Sequence, residues 1–142
     1  MSIKIYGGTV QIFIREEGLS EPIPASRLSD GILWFLFLMA LLLDPTPGLV
    51  LCIEEPEIGL HPDILPLIAE MLVEASARTQ LIVTTHSDAL ISALPPESVL
   101  VCDRCDRGSE LRRLDPDRLK KWLDNYTLGD LWRMGELGGN RW

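Results

Sequence analysis

Basic residues are scarce in this chain: 13 lysines and arginines stand against 21 aspartates and glutamates, a formal net charge of -8 at pH 7. A nucleic-acid footprint needs clustered Lys and Arg that outweigh nearby carboxylates, so DNA or RNA binding by this segment is not supported. Long apolar runs are also missing. The longest, residues 32–43, falls short of the ~20 residues that cross a bilayer, so no membrane is expected and the run reads as a fully buried helix. The opening residues MSIKIYGG carry no basic stretch followed by an apolar one, the mark of a secretory signal. Cysteine is limited to Cys52, Cys102 and Cys105, an odd set that best suits a reducing cytoplasm. Cys52, inside an apolar run, reads as a small hydrophobe. No internal repeat and no long linker divides the chain. Its 142 residues, 46% hydrophobic, fit one domain spanning 1–142, long enough to bury roughly 68–70% of its unfolded surface without staples.

Alternation supplies the first elements. Ile3 and Ile5, then Val10, Ile12 and Ile14, alternate with other residues around Gly7-Gly8, the period of half-buried strands in a hairpin. Residues 16–27 carry Gly18, Pro22 and Pro24 and read as a loop, after which Ser26 or Ser29 caps the apolar helix. Asp44-Pro45-Thr46-Pro47-Gly48 stops that helix. Residues 49–53 form a short continuous apolar run, the form of a central strand covered on both faces, and it ends in Glu54-Glu55-Pro56-Glu57. A helix opened by Pro62 follows, with Leu65, Ile68, Leu72 and Ala75 at helical spacing. Residues 81–85 are a second buried strand, followed by His86-Ser87-Asp88 and a short helix ended by Pro95-Pro96. Residues 98–101 read as a third strand, and 102–108 turn the chain back. Two helices, one carrying Trp122 and one over residues 128–134, complete it. The fold class is α/β: a parallel-sheet lobe with an N-terminal β-hairpin and C-terminal helices, in which sites form at the carboxyl ends of the strands.

Glu54, Glu55 and His86 all fall at such ends. Consecutive carboxylates at a strand end point in different directions, so one can face a cation and the other a water. In phosphoryl transfer the first task belongs to an acid near Mg²⁺ and the second to an acid beside the attacking water. The alternative is that Glu54, Glu55 and Glu57 decorate a loop, a costly place for idle charge next to an apolar strand. His86 could reach the same site and donate to developing phosphate charge; a hydrogen-bonded structural histidine is its ordinary alternative. Leu28-Ser29-Asp30-Gly31 opens a helix and could offer N–H groups to an anion, or serve only as an N-cap.

Leu28-Ser29-Asp30-Gly31, then residues 49–57 with Gly59-Leu60-His61-Pro62, then Thr85-His86-Ser87 resemble, in that order, the signature, Walker B, D-loop and switch histidine of ABC-type ATPases, specifically the SMC/RecF/OLD-like group. Residues 128–132 and 135–142 are similar to the close of such proteins. The resemblance implies a P-loop NTPase lobe of the ABC/SMC head type that binds ATP and Mg²⁺. It implies Glu54 at the metal, Glu55 polarising the hydrolytic water and His86 sensing the γ-phosphate. It also implies Ser29 and Gly31 on the γ-phosphate of ATP held by a second protomer, and His61 in the loop that contacts the partner. Hydrolysis would then require a dimer. Glu54 replaces the more usual Asp, Asp30 and Ile32 depart from the transporter signature, and Trp34 stands where a more polar residue is usual. DNA is a partner open to the full-length family.

A P-loop needs Gly followed by Lys and Ser or Thr, so that backbone amides cradle the phosphates and the lysine reaches the β and γ oxygens. The three lysines, Lys4, Lys120 and Lys121, do not follow a glycine, and Gly138-Gly139 has no lysine after it and reads as a flexible or turn-forming end. The chain therefore carries no Walker A. It should bind ATP poorly alone, expose an apolar face or edge, and self-associate or join a P-loop-bearing chain. A catalytically silent docking module and a stand-alone metal hydrolase are the alternatives. Cys102 and Cys105 form one C-x-x-C that lacks two further zinc ligands, so reduced thiols in a hairpin are expected. Arg104, Arg107, Arg112 and Arg113 alternate with Asp103 and Asp106, the mixture of a solvated hairpin.

Overall fold

The computed structural model describes residues 1–106 and 108–139; Arg107 and residues 140–142, named above for the basic cluster and the chain's ending, lie outside the described residues. The first alternating segments pair as β1 (Ser2–Tyr6) and β2 (Thr9–Ile14), antiparallel from Ser2↔Phe13 to Tyr6↔Thr9. Gly7 and Gly8, at φ 54° and 83°, make the two-residue turn that a right-twisted hairpin requires and that side chains resist. A two-residue strand, β3 (Ile23–Pro24), adds to β2 and breaks the expected loop. The period-two pattern predicts half-buried strands, yet Ile3, Ile5 and Val10 are all more than 60% exposed. No layer among the described residues covers either face of this hairpin over that stretch.

Ser29 is the residue that caps α1 (Asp30–Leu42): its Oγ accepts from Ile32 N–H at 3.3 Å. The helix is not fully buried, contrary to its composition. Leu38 and Leu42, one turn apart, are sealed, whereas Ile32, Leu33 and Phe37 are exposed. A helix apolar all round buries only the stripe that meets a partner, here α2 (Leu65–Ser76) and β4 (Val50–Glu54). A 3₁₀ turn, Pro62–Ile64, leads into α2, and β5 (Gln80–Thr84) then runs parallel to β4 in the register Val50↔Gln80 to Glu54↔Thr84. Leu38, Leu42, Ile53, Ile68, Ala69, Met71, Leu72, Ala75 and Leu90 form the first core, with Leu81 and Val83 packed on it. Each of its fully buried large aliphatics contributes about 1.5–3 kcal/mol relative to exposure.

Paired residues of parallel strands share a face. Ile53 and Val83 turn inward, while Val50, Cys52, Glu54, Ile82 and Thr84 turn outward and are exposed. The expectation of strands covered on both faces therefore fails. Both helices lie on one face, the other is bare, and Cys52 is exposed rather than buried. The third predicted strand is also corrected. Residues 98–101 do not join the parallel sheet: among the described residues β6 (Leu100–Cys105) pairs only with β7 (Gly108–Arg113), antiparallel, as a separate sheet. A six-residue return strand with a two-residue connection satisfies its backbone locally, so no crossover is needed. Cys102 and Cys105 are free thiols in this hairpin.

A second core of Ile91, Val101, Leu114, Leu128, Leu131 and Leu137 joins that hairpin to α4 (Pro116–Leu123) and α5 (Leu128–Arg133). The link to the first core is α3 (Asp88–Ser92), whose consecutive residues Leu90 and Ile91 enter one core each. Gly129 lets α5 approach α3, since a Cβ there would lie 2.4 Å from the Asp88 carbonyl oxygen. Of the two readings of Gly138-Gly139, flexible or turn-forming, the structure has the second: both sit at positive φ, 78° and 75°, and Gly139 N–H donates to Asp103 Oδ1 at 2.7 Å beside buried Leu137. Among the described residues no helix is long and apolar enough to cross a membrane.

Candidate functional site

The parallel ladder ends by a change of backbone sign. Glu55 N–H still donates to the Thr84 carbonyl at 2.9 Å, but Glu55 itself sits at φ 44°, the left-handed region, and is the one described residue other than glycine that does so. Such a conformation costs on the order of 1–3 kcal/mol and concentrates at functional sites. Pro56, buried and without an N–H, cannot continue the ladder, and its carbonyl accepts from Trp34 Nε1 at 2.9 Å. Bonds from Ile58 N–H to the Glu55 carbonyl and from Leu60 N–H to that of Glu57 then curl residues 55–60 into consecutive tight turns. The opening of α1 presses against them: a Cβ on Gly31 would lie 2.3 Å from the Gly59 carbonyl oxygen. Trp34, standing where the resemblance would put a more polar residue, thus fastens α1 to the strand-end turn.

These elements enclose a cleft of about 350 Å³ lined by Asp30, Gly31, Trp34, Glu54, Glu55, Ile58 and Gly59. Across its rim, His86 Nε2 stands 4.0 Å from Glu55 Oε1, the imidazole 75% exposed and the carboxylate 33%. Three of the predicted site residues, Glu54, Glu55 and Gly31, therefore share one cleft, and His86 faces it. Ser29 and His61 are not among the lining residues. Ser29 is exposed, its Oγ engaged as the α1 cap. His61 caps the following turn, Nδ1 accepting from Asp63 N–H at 3.3 Å, with its side chain 70% exposed.

Sequence reasoning saw Glu57 only as one more acid. In the fold its Oε1 accepts from Thr85 Oγ1 at 2.6 Å and from His86 N–H at 2.8 Å, while Oε2 is buried with no hydrogen-bond partner among the described residues. The available signal was a further carboxylate two residues after Glu55, paired with a hydroxyl residue at the end of the neighbouring parallel strand. The contact between Gly31 and Gly59 was likewise unforeseen.

Magnesium prefers six oxygens, retains several waters and is held by one or two carboxylates with substrate phosphates. Among the described residues no three His, Cys, Asp or Glu side chains converge on a metal position. A cage built wholly from these side chains is excluded, whereas the donor set of Glu54 and Glu55, hard carboxylate oxygens on one open cleft, fits an ion that arrives with a phosphate ligand.

Comparison with known proteins agrees with this architecture. A comparison with curated proteins found no match. Among solved structures, one from work on "Structural biochemistry of ATP-driven dimerization and DNA stimulated activation of SMC ATPases" superposes with a TM-score of 0.61 at 18% identity, covering 83% of this chain and 73% of that one. The shared fold is that of an ABC/SMC-like ATPase, a mixed α/β lobe of the P-loop NTPase class. The family described as "AAA domain, putative AbiEii toxin, Type IV TA system" matches residues 5–92, more than half of the chain, from the end of β1 through the strand ends to α3. This chain belongs to that family of AAA ATPase domains.

Proposed function

We propose that residues 1–142 act as a single unit, the carboxyl lobe of an ABC/SMC/RecF-like ATPase head, which binds ATP and hydrolyses it with Mg²⁺ once another segment or chain supplies the P-loop. The observation that carries this reading is the 4.0 Å approach of His86 Nε2 to Glu55 Oε1 beside a cleft that also holds Glu54 and Gly31. Glu55 is the general base. It takes a proton from the attacking water as the new bond to the terminal phosphorus forms and the bridging bond to ADP breaks. His86 donates a hydrogen bond to the charge that develops on the phosphoryl oxygens. Glu54 is the side chain for Mg²⁺, which when bound neutralises phosphate charge. Ser29, whose Oγ accepts in the cap and keeps its own O–H to donate, and Gly31 contact the γ-phosphate held by a second protomer. His61, exposed on the turn after the strand end, contacts that protomer. The similarity to SMC ATPases studied for ATP-driven dimerisation supports self-association, and the bare outer face of β4 and β5 is the surface to which a P-loop-bearing segment would add.

The test is turnover in a mixture. Combined with a P-loop-bearing partner, the chain should release phosphate from ATP. Glu55→Gln should abolish release while nucleotide binding persists, because the amide keeps the shape and loses the base. A mixture that binds ATP and never turns it over would instead support the second reading, a catalytically silent module that docks on or dimerises with such an ATPase.

A further inference from the structure

The imidazole of His86 is 75% exposed, so packing does not hold it, and its approach to Glu55 is at the outer limit of an ion pair. An exposed pair of that kind contributes little, so it cannot set the ring's position unaided. The orientation has to come from the backbone beneath it. There a single oxygen does the holding: Glu57 Oε1 accepts both the Thr85 hydroxyl and the His86 N–H. Thr85 Oγ1 in turn accepts from Ser87 N–H at 3.0 Å, and Ser87 Oγ caps α3 by accepting from Leu90 N–H at 3.1 Å. Every residue from Thr85 to the start of α3 is thus referred to one carboxylate. That carboxylate lies in the same turn as Glu55, separated from it only by buried Pro56.

We propose that Glu57 is the positioning residue for His86, fixing the 85–87 backbone to the strand-end turn so that the imidazole faces Glu55. The proposal extends the functional reading above and rests on it for the role of His86. The geometric claim stands apart from that role. Hydrogen bonds to a charged acceptor are roughly twice as strong as neutral ones. Oε2 makes no hydrogen bond among the described residues, so an amide can keep its oxygen at the Oε1 position and both accepted bonds, at the cost of a buried amide N–H group without an acceptor.

Amide hydrogen exchange and nuclear Overhauser contacts on the 142-residue chain test this directly. Glu57→Ala should accelerate exchange at the His86 and Ser87 amides roughly 10- to 100-fold, the range expected for losing a charge-assisted bond, and should abolish contacts between the His86 ring and the Glu55 side chain. Glu57→Gln, a neutral acceptor, should restore the ring contacts and return exchange part of the way to the wild-type rate. Amides of β4 and α2 serve as the folding control. If Glu57→Ala unfolds the chain, Thr85→Val, which removes the hydroxyl that donates to Glu57 and accepts from Ser87 N–H but leaves the His86 N–H bond to Glu57, should weaken the same contacts in a folded protein, with Thr85→Ser restoring them. Exchange within two-fold of wild type in Glu57→Ala, or ring contacts of wild-type intensity in Glu57→Ala or, where that variant unfolds, in Thr85→Val, would overturn the proposal. With a P-loop-bearing partner, the Glu57 variants should lower and restore ATP turnover in step with the contacts. Absence of turnover in the unaltered chain would count against the proposed function alone, because the exchange and contact results decide the positioning independently.

Discussion

Substituting Gly31 by alanine tests the packing that closes the cleft, and the sign of the effect is diagnostic. Gly31 is the second residue of α1, where alanine's propensity alone would stabilise the helix by up to about 1 kcal/mol. Against this, its Cβ would sit 2.3 Å from the Gly59 carbonyl oxygen, a backbone atom that cannot rotate away. Relief to even 3.0 Å requires α1 and the 57–60 turn to part by several tenths of an ångström, straining the bond from Trp34 Nε1 to the Pro56 carbonyl. Overpacking of this kind costs typically 1–3 kcal/mol. The net expectation is destabilisation of about 0–2 kcal/mol, a lowered urea midpoint and a Tm lower by up to roughly 8 °C for a chain of this size. Gly48→Ala is the control: its Cβ would meet only the Val50 carbonyl, at 3.9 Å, so the change should stabilise by about 0.4–1 kcal/mol through the unfolded chain. Trp34 fluorescence should shift in the Gly31 variant and not in the control. If Gly31→Ala proved as stabilising as Gly48→Ala, the close seating of α1 on the strand-end turn would be refuted.

Two further outcomes follow from exposure and charge. Cys52 lies on the bare face of the sheet next to Ile82, which is 53% exposed, so a maleimide should label it readily in the isolated chain and slowly once a P-loop-bearing partner covers that face; equal rates would locate the partner elsewhere. The carboxyl of Asp130 is held down to about 2 by the Thr127 hydroxyl, then the Thr127 N–H and Arg133, against an ordinary value of 3.8. A depressed folded-state value means that the ionised form is favoured by folding. Its stabilisation is therefore fully present above about pH 4 and lost as the pH falls toward 2. Asp130→Asn should flatten that part of the stability profile measured by urea unfolding, and an unchanged slope would remove Asp130 as its source.

Local order was legible where a residue's own chemistry decides the backbone. Gly7-Gly8 announces a hairpin because few other pairs occupy two successive left-handed positions, and Pro62 with Leu65, Ile68, Leu72 and Ala75 announces a helix and the side it buries. The placement of Glu54, Glu55 and His86 at strand ends was also readable, since an apolar run followed by charge marks where a buried strand surfaces. What failed were two inferences about coverage, strands covered on both faces and a fully buried first helix, whereas an exposed apolar face was expected. Residues 49–53 and 81–85 are apolar on both alternating faces, and composition cannot tell a face covered by this chain from one awaiting another surface. Val50, Cys52 and Ile82 are bare for that reason. The pairing of β6 with β7 rather than β4 or β5 was hidden by the same limit, because strand partners are chosen by chain geometry at long range.

The placement of His86 connects these levels. On one side the loop bearing it is bound to the strand-end turn through Glu57; on the other it runs at once into α3, a helix of five residues too short to be stable by itself. What stabilises α3 is its position between the two cores, with Leu90 fully buried in one, Ile91 in the other, Gly129 admitting α5 against it, and Arg133 Nη1 pairing with Asp88 Oδ2 at 3.0 Å. The C-terminal helices, which contribute no residue to the cleft, therefore fix the far end of the segment whose near end faces Glu55. Loosening α5 would free α3 and leave His86 anchored at Glu57 alone, so the second core governs the site through position rather than contact.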